Sequence, residues 1–348
     1  MANEYLTILV PSLITFFVTI IGVRFLLSYF SSAGIIAEDR NKEKPVRIPS
    51  SGGLAVAFGI TVGILAYTFG GSFGIFNPHL SISRLLAVSL SIILIAMVGF
   101  LDDINVKSRK VATTDIKDIR KGLEQWQKPL LTLLGALPLM AITAGVNYVN
   151  VPFLGAVQLG ILYPLILIPL AVIFVSNSFN LLGGFDGLQP GMGMVAAFGL
   201  VIYSLFFGTP LGLLLSSLLF IAIVAFLPFN LYKARMIPGD SFTYAVGGTL
   251  VAIMVIGNAE IFGAIIFVPW IIEFFLHLRR GFKVTDLGIR QKNGTFKAPY
   301  GKKIYSLTHW VMNLAKGKAT ENYVSAYLTL LEGGFVVLAL ALKFKGFL

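Results

Sequence analysis

The chain has 348 residues, 56% of them hydrophobic and only 12% charged, and its mean hydropathy is +0.85. A soluble domain carries roughly 25% charged residues and needs a polar exterior that this composition cannot supply. A water-soluble enzyme, a disordered tail and a fibrous protein are excluded; the composition is that of a polytopic membrane protein. The absence of cysteine excludes disulfides, zinc ribbons, iron–sulfur clusters and a catalytic thiol. Three histidines, His79, His277 and His309, argue against a histidine-rich metal site.

Apolar stretches near the roughly 20 residues needed to cross a bilayer predict ten spans, near 6–30, 52–69, 85–101, 130–146, 160–180, 190–207, 211–231, 243–257, 260–278 and 326–342. The expected fold is all-α, one integral membrane unit over 1–348, with a cytoplasmic loop insertion at 279–325. The first span lacks a basic leading region and a small-residue cleavage site, so it reads as a retained helix. With the N-terminus outside, the inner gaps hold 23 Lys and Arg, among them Arg40, Lys42, Lys44 and Arg47 in the first and ten in the last. The outer side holds Arg84, Lys343 and Lys345, and Arg24 lies within the first span. This bias follows the positive-inside rule. It accounts for the net charge of +11 by topology, so no nucleic-acid partner is expected.

The unusual polar residues lie at inner span ends. Asp102 and Asp103 follow the apolar run 92–101, where the partial negative charge of a helix C-terminus disfavours acids. A solvated loop start is the plain reading; otherwise a cation offsets them, either a divalent metal or Lys128. Lys128 precedes Pro129 at the next span and serves either as an interfacial anchor or as a fixed cation for phosphate. Asn177 and Asn180 share a helical face at the end of another span, before a turn with Gly183, Gly184, Asp186 and Gly187. Amides at such an end are costly unless they bind something; a single one often joins helices. Asp240, after Pro238-Gly239, is a helix cap or a metal ligand beside Asn180. Oxygen ligands without cysteine favour Mg²⁺ or Mn²⁺.

In the last inner loop, Asn293-Gly294 between Ile289 and Phe296 predicts a type I′ hairpin. Ile304, Leu307, Trp310, Val311 and Leu314 recur at helical spacing and predict an amphipathic helix lying in the interface. Together these features place oxygen ligands, a lysine and Gly-rich turns at one membrane face, which suits a phosphorylated donor and phosphoryl transfer. A secondary transporter would also explain many spans with Gly-broken helices, but it requires ionisable residues near the midplane. Here Arg24, Glu273 and Glu332 are the nearest cases.

The motifs Ile48-Pro49-Ser-Ser-Gly-Gly53-Leu54, Gly99-Phe-Leu-Asp102-Asp103, Lys128-Pro-Leu-Leu with Leu137-Pro138-Leu139, Asn177-Ser-Phe-Asn180-Leu-Leu-Gly-Gly-Phe-Asp186-Gly-Leu and Gly239-Asp240-Ser-Phe-Thr-Tyr occur in this order over most of the chain. In this the chain resembles the polyprenyl-phosphate N-acetylhexosamine-1-phosphate transferases, and most of all the dolichyl-phosphate N-acetylglucosamine-phosphotransferases that start N-glycan assembly. The resemblance implies attack of a polyprenyl or dolichyl phosphate on the β-phosphorus of a UDP-N-acetylhexosamine, with loss of UMP. It implies Mg²⁺ (or Mn²⁺) ligation by Asn180 and Asp240 and pyrophosphate binding by Lys128. Asp102 and Asp103 become an acidic pair that positions or deprotonates the lipid phosphate, and Asp186 a reader of uracil. Asn177, Leu54 and Gly184 fall on the donor-binding motifs.

Two departures stand out. Ile237 occupies a position where the family often has a stacking Phe. The stretch 282–286 lacks the dolichyl branch's His-Arg-x-Pro-Arg motif, with Lys283 in place of one Arg. The peptidoglycan branch's His-rich motif is absent too. The resemblance implies a cell membrane or endoplasmic-reticulum-type membrane, a cytoplasmic active site and membrane-lipid partners, and it allows a homodimer. An initiating transferase for another envelope polymer is the alternative within the same chemistry.

Overall fold

The computed structural model of the chain describes residues 2–75, 80–104, 110–112, 117–119, 123–124, 126–144, 148–151 and 155–348. His79 and Lys107, Arg109, Arg120 and Lys121 lie outside the described residues. Helix α1 (Ala2–Ala33) leads into a short hairpin, β1 (Ile36–Asp39) with β2 (Val46–Pro49). Helices α2 (Gly53–Ser72) and α3 (Ile82–Ile104) follow, then β3 (Lys110–Ala112) with β4 (Lys117–Ile119) and α4 (Gln127–Ala141). The hairpin of β5 (Tyr148–Val151) and β6 (Gly155–Gln158) precedes a π-helical turn, Tyr163–Leu167, that runs into α5 (Ile168–Leu181). Then come α6 (Leu188–Phe206), α7 (Pro210–Asn230), α8 (Gly239–Ile256), α9 (Glu260–Ile266) and α10 (Val268–Leu278). The last stretch holds β7 (Ile289–Arg290), β8 (Phe296–Lys297), α11 (Leu307–Leu314) and α12 (Glu321–Phe344).

The protein is an all-α polytopic membrane protein. Among the described residues eight helices are long and apolar enough to cross a membrane, nine if α9 and α10, bent by 59°, form one span. Of the ten expected stretches, the fourth falls outside this count. All ten apolar stretches are helical, but the fourth gives α4, which has only 15 residues. At 1.5 Å per residue it reaches about 22 Å, short of a hydrocarbon core of roughly 30 Å. It still packs between α3 and α5.

Helix α8 is the axis of the bundle: 94% of its apolar window is buried, against 28% for α1. Glycines let its neighbours approach. A Cβ on Gly53 would lie 1.9 Å from the Phe242 nitrogen, and one on Gly99 would lie 2.3 Å from the Asp240 carbonyl oxygen. These small-residue contacts, which replace the hydrophobic drive that lipid removes, bring α2 and α3 against the start of α8.

The last loop differs from expectation in two ways. The β7–β8 hairpin forms, but of the two turn residues only Gly294 has positive φ, +80°. A type I′ turn requires positive φ at both. Gly294 N–H donates to the Gln291 carbonyl (3.0 Å) and Gln291 N–H to the Thr295 carbonyl (2.7 Å), as in a type I turn closed by a glycine bulge. The amphipathic helix is shorter, starting at Leu307 behind a Ser306 cap, and its Leu307, Val311 and Met312 are buried in the protein. Its apolar stripe covers α12 and β8 rather than facing lipid; Leu314 is exposed.

Candidate active site

Successive residues on a helix point about 100° apart, and the adjacent acids at the end of α3 accordingly do different work. Asp103 turns to the N-terminus of α8. Its Oδ1 accepts from Asp240 N–H (2.8 Å), and its Oδ2 accepts from Ser241 N–H (3.1 Å) and the Ser51 hydroxyl (2.8 Å). It thus satisfies backbone donors that a helix start leaves open, and its charge meets the positive end of the helix. The α8 N-cap position is held by Pro238, so the cap is supplied from α3 and the Asp240 side chain is left for other contacts. Gly239 fits here with φ +74°, where a Cβ would also lie 2.3 Å from Asp103 Oδ2. The first-loop motif is joined to the same point. Ile237 N–H donates to the Pro49 carbonyl (2.8 Å), while Gly52 and Gly53 N–H donate to the Ile237 and Pro238 carbonyls (3.1 and 3.0 Å).

Asp103→Ala strands two buried N–H groups and a hydroxyl, at an expected cost of roughly 2–4 kcal/mol. We expect a lower apparent Tm at fixed scan rate for Asp103→Ala than for Asp103→Asn, whose one carbonyl oxygen keeps part of the cap. Melting of both variants at the wild-type temperature would show that the cap contributes nothing.

Asp102 faces the other way. Its Oδ2 pairs with Lys128 Nζ at 2.5 Å, and its Oδ1 accepts from Leu123 N–H. Lys128 also reaches Asp240 Oδ2 at 3.3 Å. One ammonium therefore sits between carboxylates from α3 and α8, offsetting Asp102 but not Asp103. All three groups are largely shielded from water, with side-chain exposures of 20% or less. The two asparagines have different partners. The Asn180 amide lies beside the Tyr244 hydroxyl, one turn along α8 from Asp240. The Asn177 amide nitrogen donates to Thr132 Oγ1 of α4 (3.2 Å) and to the Ile173 carbonyl (2.8 Å), a contact that joins α5 to α4.

Asp186 belongs to a second cluster. Lys42 Nζ contacts Asp186 Oδ2 (2.7 Å), Glu321 Oε2 (2.7 Å) and Asp39 Oδ2 (2.9 Å). Asp186 Oδ2 also accepts from Ala234 N–H (2.9 Å). Burial pushes the Asp186 carboxyl above its usual range, against the opposing pull of Lys42. Burial works against the charge on Lys42, but hydrogen bonds to Asp186, Glu321 and Asp39 outweigh it and raise its pKa. The Gly-rich turn is held from several sides: Asn41 donates to the Gly184 carbonyl, Gly187 N–H to Asn230 Oδ1 (3.0 Å), and Ser325 to the Asp186 carbonyl (2.7 Å). The last loop covers it through Leu287, next to Gly184, and Phe296, whose ring is 5.5 Å from that of Phe185.

Leu54 is half-buried in the first turn of α2, beside Gly53. Lys283 is exposed just past α10, and its side chain contacts neither cluster among the described residues. Lys42, Asp39, Glu321 and Ser51 were not singled out by the sequence reading, which took Lys42 only as a topological charge. A third cluster joins α10 to the last loop: His277 Nε2 lies 2.9 Å from both Glu273 Oε1 and Asp286 Oδ1, and Glu273 Oε2 accepts from Leu307 N–H.

The sequence profile of glycosyl transferase family 4 matches residues 85–258, which hold Asp102, Asp103, Lys128, Asn180, Asp186 and Asp240. A Saccharolobus solfataricus protein assigned as a UDP-N-acetylglucosamine–dolichyl-phosphate N-acetylglucosaminephosphotransferase is 33% identical over 97% of both chains. The Dictyostelium discoideum protein named for the same activity is 26% identical over 87% of this chain and 80% of its own. A phospho-N-acetylmuramoyl-pentapeptide-transferase of Dictyoglomus turgidum is 29% identical over 73% of this chain and 76% of its own.

Proposed function

The chain belongs to glycosyl transferase family 4, and on that premise we propose that it transfers N-acetylhexosamine 1-phosphate from a UDP-sugar to polyprenyl or dolichyl phosphate. N-acetylglucosamine 1-phosphate is the favoured group, and the reaction is the first lipid-linked step of N-glycan assembly. An oxygen of the lipid phosphate bonds to the β-phosphorus of the donor; the bond from that phosphorus to the bridging oxygen breaks, and UMP leaves. The observation that carries this reading is the Lys128 ammonium held between Asp102 and Asp240, a fixed positive charge where a pyrophosphate can be met.

The residues fit a divalent cation. The site has oxygen donors and two carboxylates that converge on one cation. Asp240 and Asn180 would hold Mg²⁺, or Mn²⁺, which when bound neutralises charge on phosphate oxygens. A phosphate monoester has its second pKa near 6, so the lipid phosphate is largely a dianion at pH 7 and needs no strong base. Asp102 then orients Lys128, and Asp103 positions Asp240 through the backbone of α8. Leu54, Asn177, Gly184 and Lys283 are assigned to donor binding. The charge bias supports a cytoplasmic active site with the N-terminus outside, in a cell membrane or endoplasmic-reticulum-type membrane. A homodimer is compatible with this assignment.

Uracil is read by Asp186, whose carboxylate can accept the N3–H that cytosine lacks. Loss of such a contact costs about 1.5–3 kcal/mol, roughly ten- to a hundredfold in affinity. Asp186→Ala is therefore expected to narrow the preference for UMP over CMP as inhibitors by that factor. An unchanged preference in a folded variant would leave Asp186 only the closure of its turn. The proposed function itself is tested by incubating the purified protein with polyprenyl phosphate, Mg²⁺ and a panel of UDP-sugars. UMP release is expected with UDP-N-acetylglucosamine, and its absence with every UDP-N-acetylhexosamine would overturn the assignment.

A further inference from the structure

A groove of about 340 Å³ lies between α1 and α7, lined by none of the residues of the two carboxylate clusters, and two arginines line it, Arg24 and Arg235. Its walls are otherwise apolar, with Phe16 and Ile20 from α1 and Val224 and Pro228 from α7. It borders the most lipid-exposed helix of the bundle; Phe17, Ile21 and Phe25 of α1 are each more than half exposed. Arg24 sits nine residues before the end of α1, about 14 Å into the helix, at a depth where a lone cation is costly. Arg235 lies in the segment between α7 and α8, its guanidinium 5.1 Å from the Phe229 ring centre. Neither arginine has a carboxylate partner among the described residues. One guanidinium is thus at headgroup level, and the other is below it on a side chain long enough to snorkel upward.

We propose that this groove is a binding site for an anionic phospholipid, with Arg24 and Arg235 holding its phosphodiester and the α1 and α7 walls seating the first part of its chains. Guanidinium groups suit this ligand because they are weakly hydrated and match phosphate oxygens bidentately. The volume is of the size that holds small ligands, about 300–1,000 Å³. The occupant is a bilayer phospholipid rather than the reacting polyprenyl phosphate. The groove shares no lining residue with Asp102, Lys128 and Asp240, where an acceptor phosphate must arrive. The segment that carries Arg235 also carries Ala234, which bonds Asp186, and Ile237, which bonds the first loop. Lipid held at Arg235 therefore braces the approach to α8.

The test is retention of phosphatidylglycerol by the delipidated full-length protein, read by native mass spectrometry and apparent Tm, with phosphatidylcholine as the zwitterionic control. The wild type is expected to bind and be stabilised by phosphatidylglycerol well above phosphatidylcholine. Arg24→Gln with Arg235→Gln should weaken that binding roughly ten- to a hundredfold, while Arg84→Gln, far from the groove, should not. Equal binding of the two lipids, or undiminished phosphatidylglycerol binding by the double variant, would overturn the proposal. So would loss of polyprenyl phosphate binding in the double variant with phosphatidylglycerol binding intact, which would make the groove an acceptor site.

Discussion

Asp240→Ala and Asn180→Ala are each expected to lower turnover by at least about two orders of magnitude while the protein keeps its fold. The fold should survive because the contact that secures the start of α8 runs from Asp103 to the backbone N–H groups of Asp240 and Ser241, and an alanine at 240 retains its N–H. What is lost at 240 is an oxygen that faces Lys128, and at both positions, in the proposed reaction, a ligand to the metal. Chelation should likewise stop the wild type, and Mg²⁺ or Mn²⁺ should restore it. Activity above about a tenth of wild type in either variant at saturating Mg²⁺ is too small a loss for a ligand that meets transition-state charge, and it would remove that residue from the site.

Lys128→Ala is the second large effect. Its ammonium is proposed to meet the donor pyrophosphate before and during transfer. The variant should therefore show both a raised KM for the UDP-sugar and a lowered kcat, with kcat/KM down by about a thousandfold. Removal of the lysine also leaves Asp102 and Asp240 facing each other in a shielded site, so stability should fall. Adding Asp102→Asn separates the two effects. The double variant should recover apparent Tm because one of the opposed charges is gone, and it should stay inactive because the cation is still missing. Normal kinetics with reduced expression in Lys128→Ala would instead make the residue a membrane anchor.

Much of this was legible in the sequence because it is local. Ten apolar stretches became ten helical regions, and Lys128, one of the two cations weighed for the acidic helix end, lies against Asp102. What was hidden depends on contacts distant in sequence. Nothing near Asp103 indicates that it caps a helix beginning 136 residues later. Lys42 joins Asp186 and Glu321 across separations of 144 and 279 residues. Hydropathy also cannot tell that the fourth stretch forms a helix of only 15 residues, with Leu130, Leu134 and Leu137 exposed along one face. The hairpin turn was misassigned because Asn293-Gly294 fits either a two-residue type I′ loop or a longer loop in which only the glycine has positive φ.

The central claim is that the sugar moves together with its phosphate. The most direct measurement uses a UDP-N-acetylglucosamine donor labelled at the β-phosphorus, with polyprenyl phosphate, Mg²⁺ and the purified protein. The label is expected in the organic-phase lipid product, with unlabelled UMP in the aqueous phase, and Asp240→Ala should abolish that transfer. Label that stays in water as UDP while sugar appears on the lipid would mean transfer of the hexosamine alone, and would contradict the account.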